Sequence, residues 1–166
     1  MYISALRLKN WKNFQSADAA LGRRVFLIGP NASGKSNLLD AFRFLRDIAL
    51  DGLANAVARR GGVSAVRSLY ARAISDIHIE AEINADDDCV WTYSLSFNQD
   101  AAKSPAIRHE RVYKSGKSIL NRPDKSDKRD AVRLTQTALE QISANSAFRE
   151  IADFFRSISY QHIVPQ

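Results

Sequence analysis

The residues whose types and spacing could do chemistry are Gly29-Pro30-Asn31-Ala32-Ser33-Gly34-Lys35-Ser36. They fit the pattern G-x-x-x-x-G-K-[ST], a loop that holds phosphate. Gly29 and Gly34 admit left-handed or close-approach backbone without a Cβ clash. Such a loop wraps its N–H groups around an anion, at a helix N-terminus whose dipole favours negative charge. Lys35 reaches the β- and γ-phosphates as a point charge, and the Ser36 hydroxyl ligates Mg²⁺. Asn31 is a secondary polar contact, and Asn37 follows directly. A Gly-rich turn with a surface lysine is the bland alternative. A random match in a chain of this length has odds of roughly 1 in 200, and the flanking elements lower them further.

Those flanks are what must position the loop. Arg24-Val25-Phe26-Leu27-Ile28 is a short apolar, β-rich run, and it predicts a strand over 25–28 that feeds the loop. Apolar residues at 38, 39, 42, 45 and 48 predict a helix from Ser36 to about Leu50, broken by Asp51-Gly52. Upstream, 2–9 and 15–21 read as strands joined by the polar-aromatic turn Asn10–Phe14. Residues 53–60 read as a short helix ended by Gly61-Gly62. Arg59, Arg60, Arg67 and Arg72 form a basic run. It reads first as a solvated surface, with contact to nucleotide, DNA or a partner subunit as the functional alternative.

Beyond residue 76 the period changes to two. Ile77, Ile79, Ala81 and Ile83 alternate with polar residues, as do Trp91, Tyr93, Leu95 and Phe97. With 107–113, a turn at Ser115-Gly116 and 117–121, they predict an antiparallel meander over 76–121. Asp86-Asp87-Asp88 reads as a solvated hairpin tip, and His78 and His109 lack metal-ligand spacing. Residues 122–130 read as a charged, mobile loop. Helices are expected at 131–144 and 147–157, the second burying Phe148, Ile151, Phe154 and Phe155, and a short β run closes the chain.

Composition sets the class. The chain has 166 residues, 45% apolar and 25% charged, which is enough for one soluble domain with a core. No apolar run approaches the length of a membrane span, and no signal-peptide pattern opens the chain, so a cytoplasmic protein without membrane contact is expected. The single cysteine, Cys89, fits a reducing compartment and reads as a small buried side chain. A net charge of +6 and a pI near 9.7 are compatible with nucleic acid or an acidic partner, although the cations are scattered.

The pattern resembles the N-terminal part of ABC-type ATPase heads of the SMC/RecF/OLD group, described as AAA-type ATPases. The features are the first strand followed by Asn10-Trp11-Lys12, the loop Gly29–Ser36 with Asn31 inside and Asn37 after it, the β meander after the loop helix, and Tyr160–Gln166, similar to the strand that ends in the group's Q-loop glutamine. The resemblance covers nearly the whole chain, and the phosphate loop is its specific part. It implies ATP and Mg²⁺ as ligands and Lys12 near the nucleotide. It also implies Gln166 helping to place Mg²⁺ and the attacking water, beside Lys35 as the catalytic residue. A head-to-head homodimer is implied too, because in the group one head's signature motif completes the other's site. No apolar run ending in Asp-Glu and no signature motif is visible, so a truncated or split protein, binding nucleotide and hydrolysing poorly alone, is expected.

The expectation is therefore an α/β P-loop NTPase fold with a mixed sheet and an antiparallel β subdomain. It forms a single ATPase domain with a core over 1–75, the meander over 76–121, and a loop, helices and strand over 122–166. Its function is ATP binding, in a protein whose full-length form is an ATPase of DNA maintenance or anti-phage defence. Three alternatives stay open: a nucleotide-switched dimerisation module, an ABC transporter ATPase subunit, and a small-molecule kinase on a P-loop scaffold.

Overall fold

Strand β1 (Tyr2–Trp11) pairs antiparallel with β2 (Phe14–Ala20) on one side and with β3 (Ile77–Asn84) on the other. Hairpins then add β4 (Val90–Gln99), β5 (Pro105–Lys114) and β6 (Lys117–Arg122). The result is one six-stranded sheet in the order β2-β1-β3-β4-β5-β6. A computed structural model describes residues 1–71, 76–85 and 89–161. The α/β class is as expected, and every strand pairing among the described residues is antiparallel.

The period-two pattern explains the sheet. Ile77, Ile79, Ala81 and Ile83 are fully buried on one face, as are Trp91, Tyr93, Leu95 and Phe97. The β5–β6 turn is Ser115-Gly116, both at positive φ (45° and 80°), which suits the twist of a two-residue hairpin. Helix α1 (Lys35–Asp51) covers this face with Ala41, Phe44, Leu45 and Ile48. Phe44 lies 5.0 Å from the Trp11 ring and 5.7 Å from the Phe97 ring, so β1, α1 and β4 share one aromatic contact. Helices α2 (Leu53–Ala58), α3 (Val63–Val66) and α5 (Arg149–Arg156) complete the layer. Phe155 meets Tyr93 at 5.6 Å, and Phe148 and Ile151 are buried as their spacing implies. Cys89 is buried.

Three expectations are corrected. Residues 25–28 belong to no strand, and Phe26 and Ile28 are 86% and 94% exposed. Apolar, β-rich residues set a preference for extension. A strand also requires a partner for its main chain, and none lies beside 25–28 among the described residues.

Residues 122–130 are not a loose loop. They form helix α4 (Lys125–Arg129) with a capping box between Asp124 and Asp127. Arg122 is buried there, bound to Glu110 at 3.0 Å and to both carboxylate oxygens of Asp127 at 2.9 and 3.0 Å.

The helix expected at 131–144 is a 3₁₀ turn at Ala131–Thr135 followed by non-helical turns. Its main chain serves the same ion pairs instead. The carbonyls of Arg133 and Gln136 accept from Arg122, while the N–H groups of Ala138 and Leu139 donate to Glu110. A buried charge demands these partners more strongly than helical spacing demands a helix. Arg72, Asp86-Asp87-Asp88 and Gln166 lie outside the described residues, as does most of the closing β run. Ser159–Gln161 are in no strand.

Candidate phosphate-binding site

The loop Gly29–Gly34 follows residues 25–28 and enters α1. Gly34 is the N-cap of the helix, at φ 99° in the left-handed region. It is also pressed against the β1–β2 turn, where an added Cβ would stand 2.6 Å from Asn13 Nδ2 and 2.9 Å from Phe14 Cζ. At Gly29 the constraint is milder, with Ser33 Oγ at 3.2 Å from an added Cβ. Ala32, at φ 64°, carries strain that Gly would avoid. Asn31, Ala32, Ser33 and Ser36 are exposed, and Pro30 is too.

Lys35 folds back over the loop. Its Nζ donates to the carbonyls of Gly29 (2.7 Å) and Pro30 (2.6 Å) and lies 3.4 Å from Ser33 Oγ. Lys35 is also one of the residues lining a cavity of about 390 Å³, with Asn13 and the rest of 31–37. The N–H groups of the first helical turn have no partner within a helix. That turn contains no acidic residue, so nothing within it neutralises the positive end of the helix dipole. An ammonium, a hydroxyl at Ser36 and main-chain donors around one concavity are the groups that an anionic phosphate with a divalent cation requires.

The loop is held from behind by β1. Trp11, fully buried, donates its indole N–H to the Asn37 carbonyl at 2.8 Å, and Asn37 Nδ2 donates to Asn13 Oδ1 at 2.8 Å. The Asn10-Trp11-Lys12 turn therefore braces the helix start, with Asn10 and Lys12 both at positive φ.

Lys12 is close to the cavity without lining it. Its Nζ sits 2.6 Å from Asp40 Oδ2, and its N–H donates to the Val66 carbonyl at 2.7 Å. It lines a second cavity, of about 510 Å³, with Ser64, Ala65, Arg67, Leu69 and Tyr70. Asn13 and Asn37 line both cavities, so the two adjoin.

Behind Lys12 lies a cluster that sequence reasoning missed. Arg60 binds both oxygens of Asp40, at 3.0 and 2.9 Å, and reaches Asp47 at 2.9 Å while stacking over Phe44. Of the basic run 59–72, Arg60 is thus not solvated: its side chain is 7% exposed. Burial opposes the charge on Asp40, and the hydrogen bonds from Arg60 and Lys12 outweigh it, holding the carboxyl below its ordinary range. The sequence signal was Asp40 one helical turn beyond Ser36, facing the Arg59-Arg60 pair. Without coordinates nothing distinguished it from any exposed helix acid.

A family model described as "AAA domain, putative AbiEii toxin, Type IV TA system" matches residues 24–162. No curated protein matches. Two solved structures are similar in shape. One, described as "Structural biochemistry of ATP-driven dimerization and DNA stimulated activation of SMC ATPases", has 17% identity and a TM-score of 0.47, over 96% of this chain and 93% of that one. The other, described as "Structure of the recombination mediator protein RecF-ATPrS in RecFOR pathway", has 17% identity and a TM-score of 0.48. That match covers 71% of this chain, which spans only 28% of the other.

Proposed function

The chain belongs to the AAA domain family matched over residues 24–162, and from that premise we propose that it binds ATP with Mg²⁺ through the loop Gly29–Ser36. The observation that carries this is the position of Lys35. Its ammonium is held by the loop's own carbonyls, and the residue lines a concavity with the rest of 31–37 at the dipole-positive end of α1. In this reading the main chain of 29–34 and Lys35 take the β- and γ-phosphates. Ser36 supplies one ligand to Mg²⁺, whose other ligands are phosphate oxygens and water. Asn31 and Asn37 are polar contacts at the rim. The nucleoside lies over the adjoining cavity beside Lys12, Arg67 and Tyr70, the last 69% exposed and free to stack.

The reading stops at binding for the described residues. The phosphate cavity is lined by no carboxylate, and Asp40 is committed to Lys12 and Arg60. Hydrolysis needs a positioned water near the cation. Hydrolysis, with Lys35 as its catalytic residue and Gln166 helping to place Mg²⁺ and water, belongs to the proposal for a longer protein. So do nucleotide-dependent pairing of two copies, contact with DNA, and a role in DNA maintenance or anti-phage defence.

Calorimetric titration with Mg²⁺-ATP tests the reading, with Lys35→Ala beside the wild type. Heat from the wild type that disappears in the variant is expected. No heat from the wild type, in a chain whose melting shows it folded, would overturn it.

A further inference from the structure

A phosphate loop reads phosphates and is blind to the base, so whatever selects the base stands beside it. In the basic run 59–72, Arg60 is bound to Asp40 and Asp47, and Arg59 meets Asp51 at 2.6 Å. Lys12, across the same cavity, is tied to Asp40 at 2.6 Å. The Arg67 guanidinium is different: it makes no hydrogen bond or ion pair with another described residue.

The main chain of Arg67 is nevertheless fixed. It bridges antiparallel to Trp11. On either side, the Val66 carbonyl accepts from Lys12 at 2.7 Å, and Ser68 donates its N–H to the Asn10 carbonyl at 2.9 Å. Trp11 in turn donates its indole N–H to Asn37, in the first turn of α1. One residue therefore holds both the helix start and Arg67, and the spacing between them is built into the fold.

Arg67 is half-buried and lines the cavity of about 510 Å³ that adjoins the phosphate cavity. No carboxylate lines that cavity with it. A guanidinium presents N–H donors in a fixed fork and accepts nothing. It matches two neighbouring acceptors on one edge of a base, which guanine offers as O6 and N7. Adenine offers N7 beside a 6-amino group, and there the fork sets donor against donor. Guanine's own donors, N1–H and the 2-amino group, lie on another edge of the ring and can be left to water.

We propose that Arg67 selects the base of the nucleotide and favours a 6-oxopurine, so that GTP binds more tightly than ATP. This selection rests on the nucleotide reading above, whose phosphate contacts are the same for either base.

Competition calorimetry in Mg²⁺ compares four nucleotides on the whole chain. They are ATP, GTP, inosine triphosphate, which keeps O6 and N7 without the 2-amino group, and 7-deaza-GTP, which lacks N7. Expected are GTP about tenfold tighter than ATP, inosine triphosphate close to GTP, and 7-deaza-GTP weakened toward ATP. The readout in variants is the ratio of GTP to ATP affinity. Arg67→Leu should bring it to about one, and Arg67→Lys, which keeps the charge and loses the fork, should lower it as well. Should a variant melt unlike the wild type, the inosine and 7-deaza comparisons on the wild type decide alone. ATP bound as tightly as GTP, 7-deaza-GTP equal to GTP, inosine triphosphate no better than ATP, or a ratio that survives Arg67→Leu would each overturn the assignment and leave the phosphate reading standing. No heat from any of the four, in a chain whose melting shows it folded, would overturn both.

Discussion

At Gly34 two demands meet in one residue: a left-handed φ of 99° and a neighbour 2.6 Å from where a Cβ would go. Gly34→Ala must both strain the backbone and push Asn13 and Phe14 off the helix start. The expected cost is about 1–3 kcal/mol, read as a lower melting temperature together with loss of ATP binding. Ser36 carries a different prediction, because it is exposed. Ser36→Ala should leave the melting curve alone and weaken ATP binding in Mg²⁺, with little change when the metal is chelated. An equal loss in both conditions would remove the cation from its role. Asp40 acts one step back. Asp40→Asn frees the Lys12 ammonium and weakens the hold on Arg60, so ATP affinity should change while the phosphate loop stays intact. Unchanged nucleotide affinity would show that Lys12 serves only the fold. The G-x-x-x-x-G-K-[ST] spacing made the turn at Gly34 and the helix start after it legible at this scale, because both have a local reason. The Lys12–Asp40–Arg60–Asp47 cluster was not legible, because its members meet only through the packing of α1 against the β1–β2 turn and the end of α2.

Among the elements, local pattern and tertiary demand separate clearly. Helix α1 starts and ends within a residue or two of its expected bounds, since a Gly at each end and an apolar stripe between them are local signals. The meander strands also fall where alternation puts them. Residues 122–144 follow another rule. There Arg122, 6% exposed, gathers Glu110, Asp127 and two carbonyls, and the main chain folds to suit it. Removing that guanidinium takes from Glu110 its ion-pair partner and leaves Asp127 only Arg133, at 3.2 Å. Arg122→Leu should cost about 3–5 kcal/mol, visible as a large drop in the urea midpoint, whereas Ile142→Ala, at an exposed site, should change it little. A small effect at Arg122 would mean that the network is not what orders 122–144.

For the molecule as a whole, the acid side of the stability curve follows from these carboxylates. Arg122 holds Asp127 far below its ordinary value of 3.8, and Asp40 is also depressed. A carboxyl whose folded value lies below the unfolded one contributes stability in full above about pH 3.9 and loses it as pH falls toward the folded value. Burial raises Glu110, against the N–H groups of Ala138 and Leu139 and the charge of Arg122. Its sign is opposite: its contribution is present below its ordinary value and is lost as pH rises through the folded one. The two depressed acids outnumber it in the acid range, so the melting temperature should fall from pH 5 to pH 3. The fall should be shallower in Asp127→Asn, and an equal slope would show that Asp127 is not a source of acid lability.

By itself the sequence determined the glycine-bounded loop before α1, the helix after it and the four-stranded run 77–122, because these depend on residues near one another in the chain. Only the tertiary structure decided that the N-terminal hairpin joins that run in one antiparallel sheet, that Trp11 braces Asn37, and that Arg122 orders 122–144. It also decided that 25–28, apolar and β-rich, forms no strand. Propensity acts on each residue alone, whereas a strand exists only when a second main chain lies beside it.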